Sequence, residues 1–475
     1  MKRLFETQVQ LLKYNILKHV AVHAWQDKMM EAYTDVPDTI VGDGLHLRCC
    51  KFKERYIVQE RIKLASGKMK DRDPIINVIA TACDECPVEG HVITDHCRGC
   101  LAHHCQDACP KKAIVIDHRG KASINKDLCV ECGRCLDVCP YSAIANRRRP
   151  CQKACKVGAV KINEVTYAAS IDHDKCITCG ACVYQCPFGA LVDRSYLLEA
   201  IDLLKDKDRR VYAVLAPAVA AQMTHHTIPQ LISALKQLGF YEVVEAALGA
   251  DIVAGDESKE LLEKGFLTSS CCPSFVNYIH KYQPQMLEHV SHNPSPMIVV
   301  GRLIKKNDPG AAVVFIGPCT AKKMEAQTVD EGDAVDVVIT FSELQSLLDS
   351  REIDWESLQT EELDNASYYG RIFARSGGLS EAVTQALKET GEDPDLFKPV
   401  VANGIEECRR QLLLASNGRL QGNFIEGMVC MDGCVGGAGS VIHRTKAIAD
   451  VDGYAGLAQD KKLHDSEKVF LEIRR

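Results

Sequence analysis

An α/β domain built on mostly parallel sheets is predicted for the C-terminal half of this 475-residue chain, with a smaller α+β block ahead of it. Three observations predict this. From about residue 208, short β-branched runs (VYAVLAPAV, AAVVFIG, VDVVIT) alternate with stretches of helical periodicity (PQLISALKQLG, SKELLEKG, FSELQSLLDS). That alternation is the pattern of strands joined by crossover helices, with ligands lying at the strand ends. Between residues 76 and 195 the bulk apolar content is low and turns of the form CP-x-x-A recur, so the core is too small to fold well without whatever the cysteines bind. The 24 cysteines also divide sharply: sixteen lie between Cys83 and Cys186, and most of the rest fall in SSCCP (269–273), GPCTAK (317–322) and EGMVCMDGC (426–434).

The N-terminal segment, 1–75, opens with apolar residues on a helical period (Leu4, Val9, Leu12, Ile16, Val20) and continues into the charged stretch KERYIVQERIKLASGKMKDRD. It forms a helical or mixed segment whose role has no residue-level case, and its adjacent Cys49 and Cys50 read as structural. Charges interrupt each apolar run of the opening, which argues against a secretory leader, and no run of about 18 apolar residues could span a membrane. A reducing cytoplasm is the expected setting, where dense cysteines mean metal ligation and not disulfides. The net charge of −7 gives no overall basic field, so nucleic acid is not an expected partner. The one tight basic cluster, Arg147–Arg149, reads as a solvated loop face.

Cys129-x2-Cys132-x2-Cys135-x3-Cys139-Pro140 is the bacterial ferredoxin run for [4Fe–4S] clusters, and Cys176-x2-Cys179-x2-Cys182-x3-Cys186-Pro187 repeats it. Cys97, Cys100, Cys105 and Cys109 make a third, with two extra residues before its third cysteine. In such runs three thiolates wrap one cluster and the fourth reaches across to its neighbour. Cys97, Cys100 and Cys105 therefore share a site with Cys139, and Cys129, Cys132 and Cys135 share one with Cys109. Cys151 and Cys155 look like the tail of a fourth run in which Lys156 replaces the proline. Cys155 then completes the site of Cys176, Cys179 and Cys182, leaving Cys83, Cys86 and Cys151 with Cys186. Sixteen thiolates close into four accessory clusters. The Cys83/Cys86 site has zinc binding or spare thiols as its alternative.

Cys272, Cys319, Cys430 and Cys434 are far apart in sequence and can meet only in a folded α/β core, where four thiolates suit one further cubane. The glycine-rich tail from Gly433 to Gly439 lets backbone approach a bulky inorganic group, and Lys322 can donate to an anionic ligand. SSCCP, PCTAKK-x-E and E-x-M-x-C-x-x-x-C-x-x-G closely resemble the three signatures of the iron-only ([FeFe]) hydrogenases, in the family's order. The resemblance covers roughly 208–440 and includes GRIFARSGGLSEAV at 370–383. It implies a two-lobed α/β [FeFe]-hydrogenase catalytic domain over 208–475, behind ferredoxin-like domains over 76–195, in a divergent subgroup of the monomeric, ferredoxin-linked type. It also implies an H-cluster: Cys272, Cys319, Cys430 and Cys434 hold its cubane, and Cys434 bridges to a diiron subcluster carrying CO, cyanide and an azadithiolate. Separate maturation proteins insert that subcluster. By the same resemblance Lys322 hydrogen-bonds a cyanide, Met428 packs near the irons, and Pro217 and Ala218 lie in the cyanide-contacting loop.

Hydrogen turnover needs a proton route. Cys271 matches the family's relay thiol, Glu257 and Glu260 match its two glutamates, and Ser291 its serine. Lys264 stands in for a basic residue at the outer end, and Glu325 matches a supporting position near Lys322. Three departures stand out: Gly317 where many members carry methionine, Ser274-Phe275 for a common Gly-Trp, and Ala220 for a common arginine. The expected activity is reversible H2 oxidation with a soluble ferredoxin as electron carrier, since no G-x-G-x-x-G follows a strand. A slow-turnover hydrogen sensor and a non-enzymatic iron–sulfur protein are the alternatives.

Overall fold

A computed structural model of the chain describes residues 5–42, 50–83, 86, 90–223, 225–328, 334–460 and 462–463. Leu4 and Cys49 lie outside the described residues. Helix α1 (Gln8–Trp25) is started by Thr7, whose hydroxyl accepts from Gln10 N while the Gln10 side chain returns to the Thr7 N–H. Its inward face carries Ile16, Leu17, Val20, Ala21 and Ala24. Helices α2 (Met29–Val41) and α3 (Lys51–Ala65) follow. The charged stretch is thus a helix, and two of its charges, Glu54 and Arg61, are buried. Arg61 donates to the carbonyl of Gly189 at 2.5 Å and so fixes the N-terminal helices to the cysteine-rich block.

That block is two units, one inserted into the other. Ile76–Val78 pairs antiparallel with Leu191–Asp193, and Val160–Ile162 with Ala169–Ile171, making an inner unit. His91–Ile93 pairs with Ile144–Asn146, and Ile114–Ile116 with Ala122–Ile124, making an outer unit. The outer unit interrupts the inner one between Cys86 and Cys151. The sequence Cys83-x2-Cys86…Cys151-x3-Cys155 thus has the spacing of a ferredoxin run with the outer unit inserted into it, a relation that the linear spacing hid. The inner unit shares the main apolar core with the N-terminal helices and with the four-stranded parallel sheet described next. The outer unit has its own small core of Ile114, Cys135 and Ile144.

Residues beyond 208 form two parallel sheets, the two lobes. In the first, β1 (Val211–Leu215), β2 (Glu242–Glu245), β4 (Ala312–Gly317) and β5 (Val337–Thr340) lie in the order β2-β1-β4-β5. In the second, β3 (Leu267–Thr268), β6 (Pro399–Asn403) and β7 (Phe424–Met428) lie in the order β3-β7-β6. Helices α4 (Ala246–Lys264), α5 (Pro273–Tyr282), α6 (Ala321–Thr328) and α7 (Phe341–Asp349) matter most below. A buried ion cluster joins the three regions: Lys323 on α6 donates to Asp193 at 2.8 Å and to Glu343 on α7 at 3.0 Å, and Lys13 on α1 reaches Asp193 at 2.5 Å. Burial opposes ionisation of Asp193, but Lys13 and Lys323 outweigh it and hold the carboxyl well below its usual range. Among the described residues, no helix is long and apolar enough to cross a membrane.

Candidate active site

The sheets aim their C-terminal strand ends at one crevice, the position in which parallel α/β sheets bind ligands. The chain after β3 delivers Cys271 and Cys272, with Cys272 capping α5 and Pro273 in its first turn, a preferred position for proline. The chain after β4 delivers Cys319 ahead of α6, and the chain after β7 delivers Cys430 and Cys434 across Gly433, whose φ of +86° suits glycine. Burial, then Cys319 and Cys272, pushes the Cys434 thiol up to about 12. Burial and the neighbouring Cys272 push Cys319 up to about 11. Cys430 rises through burial, then Cys319, Cys272, Cys179 and Cys434. Four half-buried thiols brought together in this way are suited to binding a cationic inorganic centre as thiolates.

The upstream cysteines gather in four groups. Burial pushes the Cys105 and Cys135 thiols up against main-chain hydrogen bonds that lower them, and the neighbouring thiols add to the rise: Cys139 and Cys100 at Cys105, and Cys129, Cys109 and Cys132 at Cys135. Cys186, Cys83 and Cys86 surround Cys151, whose thiol is pushed up to about 11, chiefly by burial. Cys155 faces Cys176 and Cys182. A repeated main-chain device serves the last cysteine of each run: the N–H four residues on donates to its sulfur, from Ala113 to Cys109 at 3.3 Å, Ala143 to Cys139 at 3.4 Å, Ala159 to Cys155 at 3.2 Å and Ala190 to Cys186 at 3.3 Å. Cys155 keeps this geometry although Lys156 has replaced the proline. Among the described residues no three His, Cys, Asp or Glu side chains close around a point, as one ion requires. Cys109, Cys129, Cys132 and Cys135 instead line one small cavity together. The groups are also linked, since Cys182 feels Cys151, and Cys179 feels Cys319.

Beside Cys434 lies a cavity of about 70 Å³. Pro217, Ala218, Phe315 and Met428 supply apolar walls, while Cys271 and Lys322 are its polar groups. The Lys322 ammonium donates to Glu325 at 2.8 Å and to the Cys271 carbonyl at 3.2 Å. Burial works against its charge, but Glu325 and the nearby thiols raise its pKa overall. The departures acquire physical reasons here. A Cβ on Gly317 would lie 2.6 Å from the Phe315 ring, so Phe315, on the same strand face, fills the space above residue 317. A Cβ on Gly427 would lie 2.4 Å from the Phe275 ring, so that glycine accommodates the phenylalanine.

A line of titratable groups leads outward from Cys271. Glu257, completely buried on α4, is the charge that most affects the thiol after burial itself. Its Oε1 accepts from Ser270 N at 3.4 Å and Ser270 Oγ at 3.5 Å, while Oε2 has no hydrogen-bond partner. Burial pushes its carboxyl up to about 8. Ser291 lies beside it and donates to Glu260 Oε2 at 3.2 Å. Burial disfavours the Glu260 charge, but the salt bridge from Lys264 at 2.7 Å and the His292 N–H hold its pKa below the ordinary value.

Residues 209–438 match the family described as the iron-only hydrogenase large subunit, C-terminal domain. Residues 96–143 and 121–187 match two families of 4Fe-4S dicluster domains. Iron hydrogenase 1 of Clostridium pasteurianum is 29% identical over 397 residues, covering 72% of this chain and 68% of its own length. The cytosolic Fe-S cluster assembly factor NAR1 of Kluyveromyces lactis is 38% identical over 98 residues, 21% of each chain. A solved variant of the [FeFe]-hydrogenase HydA1 from Chlamydomonas reinhardtii covers 58% of this chain and 93% of its own, at 22% identity and a TM-score of 0.48. The chain belongs to the iron-only hydrogenase family.

Membership carries with it iron–sulfur-binding domains and a fold that binds the H-cluster. Its two parts find matching surroundings here. The four half-buried thiols suit a cubane, and the apolar cavity with one buried ammonium suits an anionic inorganic group. Several residues of this hydrogenase-like site escaped the sequence reading. Glu426, the glutamate of E-x-M, is buried on β7 and accepts from Gly377 N at 2.7 Å and Ser380 Oγ at 2.6 Å, which ties segment 370–383 to the site. Its place in the motif was a usable signal. Asn293 donates to Glu260 at 3.0 Å and had no signal. Arg149 corrects an expectation: it is not a solvated loop residue but 1% exposed, because the returning end of the outer unit folds it beneath the inner one.

Proposed function

We propose that this hydrogenase-family chain interconverts H2 with two protons and two electrons. A soluble one-electron carrier of the ferredoxin class exchanges the electrons in the cytoplasm through four accessory [4Fe–4S] clusters. The observation that carries the reading is the line Cys271, Glu257, Ser291, Glu260, which begins in the wall of the cavity beside Cys434 and ends at surface-facing Lys264. A protein that only bound clusters would have no use for buried acids in that order.

On this reading Cys272, Cys319, Cys430 and Cys434 hold the cubane, and the cavity receives the diiron subcluster from maturation proteins. When bound, the subcluster supplies the two-electron chemistry of H2. The protein's own part is the proton. Lys322 presents a fixed ammonium to the cavity, while Phe315 and Met428 keep water from it. The Cys271 thiol holds a proton at the cavity edge. Glu257, titrating at about 8, can hold or release one near neutral pH, and its unpartnered Oε2 is open to receive it. Ser291 passes it between the carboxyls, and ionised Glu260 draws it toward solvent.

The short, more identical match to NAR1 favours a second reading, a role in iron–sulfur assembly without turnover. Anaerobic hydrogen evolution from reduced methyl viologen, on protein loaded with clusters and a synthetic diiron cofactor, separates the two. We expect turnover, and a loss of ~10²–10⁴-fold in Cys271→Ala. Negligible turnover in fully loaded protein would discard the enzyme reading. Equal turnover in the variant would discard the proton path.

A further inference from the structure

Arg149 stands where the outer unit hands the chain back to the inner one, immediately before the short helix Pro150–Ala154 that carries Cys151. Only 1% of the residue is exposed. Its Nη1 lies 3.6 Å from Cys83 Sγ and 3.5 Å from the Cys83 carbonyl, and its Nη2 donates to the Cys86 carbonyl at 3.0 Å. Cys83 Sγ also accepts from Ala169 N at 3.3 Å. The guanidinium is therefore pressed against two of the four cysteines that face one another at this site.

Transferring a guanidinium into a protein interior costs several kcal/mol before its interactions are counted. A cubane with four thiolates carries negative charge, and one-electron reduction adds a further unit. A fixed cation with an N–H directed at one of those sulfurs favours the reduced state more than the oxidised one, and net charge and hydrogen bonds to sulfur are what set such potentials. At the other sites the corresponding donors are neutral main-chain groups, from Ala113, Ala143 and Ala159. Lys281 near the Cys176 site and Lys121 near the Cys97 site are cations too, but both are exposed and donate to main-chain carbonyls, of His173 and Cys176 and of Cys97 respectively, and not toward a sulfur.

We propose that Arg149 gives the cluster of Cys83, Cys86, Cys151 and Cys186 the highest reduction potential of the four accessory clusters. This makes it the place where an electron rests between the outer unit and the site next to the active centre. The inference depends on the sixteen cysteines holding four clusters. Its position suits a resting site, because Cys151 adjoins Cys182 and Cys179 in turn adjoins Cys319.

The test is an EPR-monitored redox titration, with iron analysis, of protein carrying only its accessory clusters, as wild type, Arg149→Met and Arg149→Lys. In wild type one cluster should reduce before the other three. In Arg149→Met that signal should move down, so that at the wild-type midpoint its reduced-to-oxidised ratio falls about tenfold, equivalent to about 59 mV. Arg149→Lys should keep most of the potential because it keeps the charge. A full iron complement with an unmoved midpoint in Arg149→Met overturns the proposal. So does loss of one cluster's iron from both variants with the remaining midpoints unchanged, which would make Arg149 an assembly residue. Wild-type protein with only three accessory clusters would overturn the cluster assignment itself, and the role of Arg149 with it.

Discussion

The outer and inner cluster units are built on the same turn, with an N–H four residues past a cysteine donating to its sulfur, yet they sit in different media. The outer unit encloses three core residues and leaves Leu101, Val130 and Tyr141 largely in solvent, with Cys132 exposed. The inner unit is continuous with the core of the C-terminal hydrogenase-family domain, and Cys83, Cys151, Cys182 and Cys186 are all buried in it. Identical ligands in unlike surroundings are a means of setting potentials without altering the cofactor. The difference also assigns mechanical roles, because the inner unit is part of the frame that positions the active site and the outer unit is an appendage to it.

The largest test of that contrast removes a cation from each unit's main ion pair. Lys323→Met leaves Asp193 and Glu343 buried without their shared partner and should destabilise the protein by ~3–5 kcal/mol. Arg148→Ala, at the exposed 2.6 Å pair with Glu131 on the outer unit, should change stability by less than ~1 kcal/mol. Denaturant midpoints measure both, and equal losses would break the comparison.

The same gradient of burial runs along the proposed proton path and gives a pH-dependent prediction. The folded Glu257 carboxyl titrates at about 8, against an ordinary value of 4.5. Between those pH values the unfolded chain ionises this group while the folded chain keeps the proton, so wild type loses stability as pH rises through that window. Glu257→Gln, which cannot ionise, should be more stable than wild type by ~2–4 kcal/mol at pH 8 and about equal at pH 4.5. Its hydrogen turnover should fall meanwhile. Unfolding curves at the two pH values, beside the viologen assay, check both halves.

The smallest expected contrast lies in two glycines that each follow a cluster cysteine. Gly133 (φ +83°) has open space where a Cβ would point, so Gly133→Ala should cost only the left-handed strain, ~1 kcal/mol. At Gly180 (φ +74°) a Cβ would lie 2.6 Å from that of Ala438 and 2.7 Å from Thr320 Oγ1, whose hydroxyl donates to the Thr178 carbonyl at 2.7 Å. Gly180→Ala should therefore cost ~2–3 kcal/mol and slow electron delivery across the seam. Thermal unfolding of the two variants ranks them.

What the sequence displayed follows from how local each determinant is. The ferredoxin runs are fixed by spacings of two and three residues, so the two dicluster-domain matches could be read from the chain. Glu257 and Glu260 share a face of α4 because three residues nearly complete a turn. The insertion was not legible, because the partner strands Ile76–Val78 and Leu191–Asp193 lie on either side of the whole block. Arg149 was misread for a related reason. Three consecutive arginines look like a solvated surface, and only the return of the outer unit decides which one points inward. Lys323 lay inside a recognised motif, but its partners Asp193 and Glu343 come from the two segments on either side.

The nesting of the two units also has a consequence in time. The chain leaves the ribosome from its N-terminus, and on the proposed pairing both outer sites would have all eight sulfurs once Cys139 has emerged. On the same pairing Cys83 and Cys86, made earlier, would wait for Cys186 before their own site is complete. Iron can therefore enter at the periphery first and reach the centre later, against the order in which the first ligands are synthesised. The assembled outer unit then brings the two halves of the split run to the same place, acting as an internal template for the unit that encloses it.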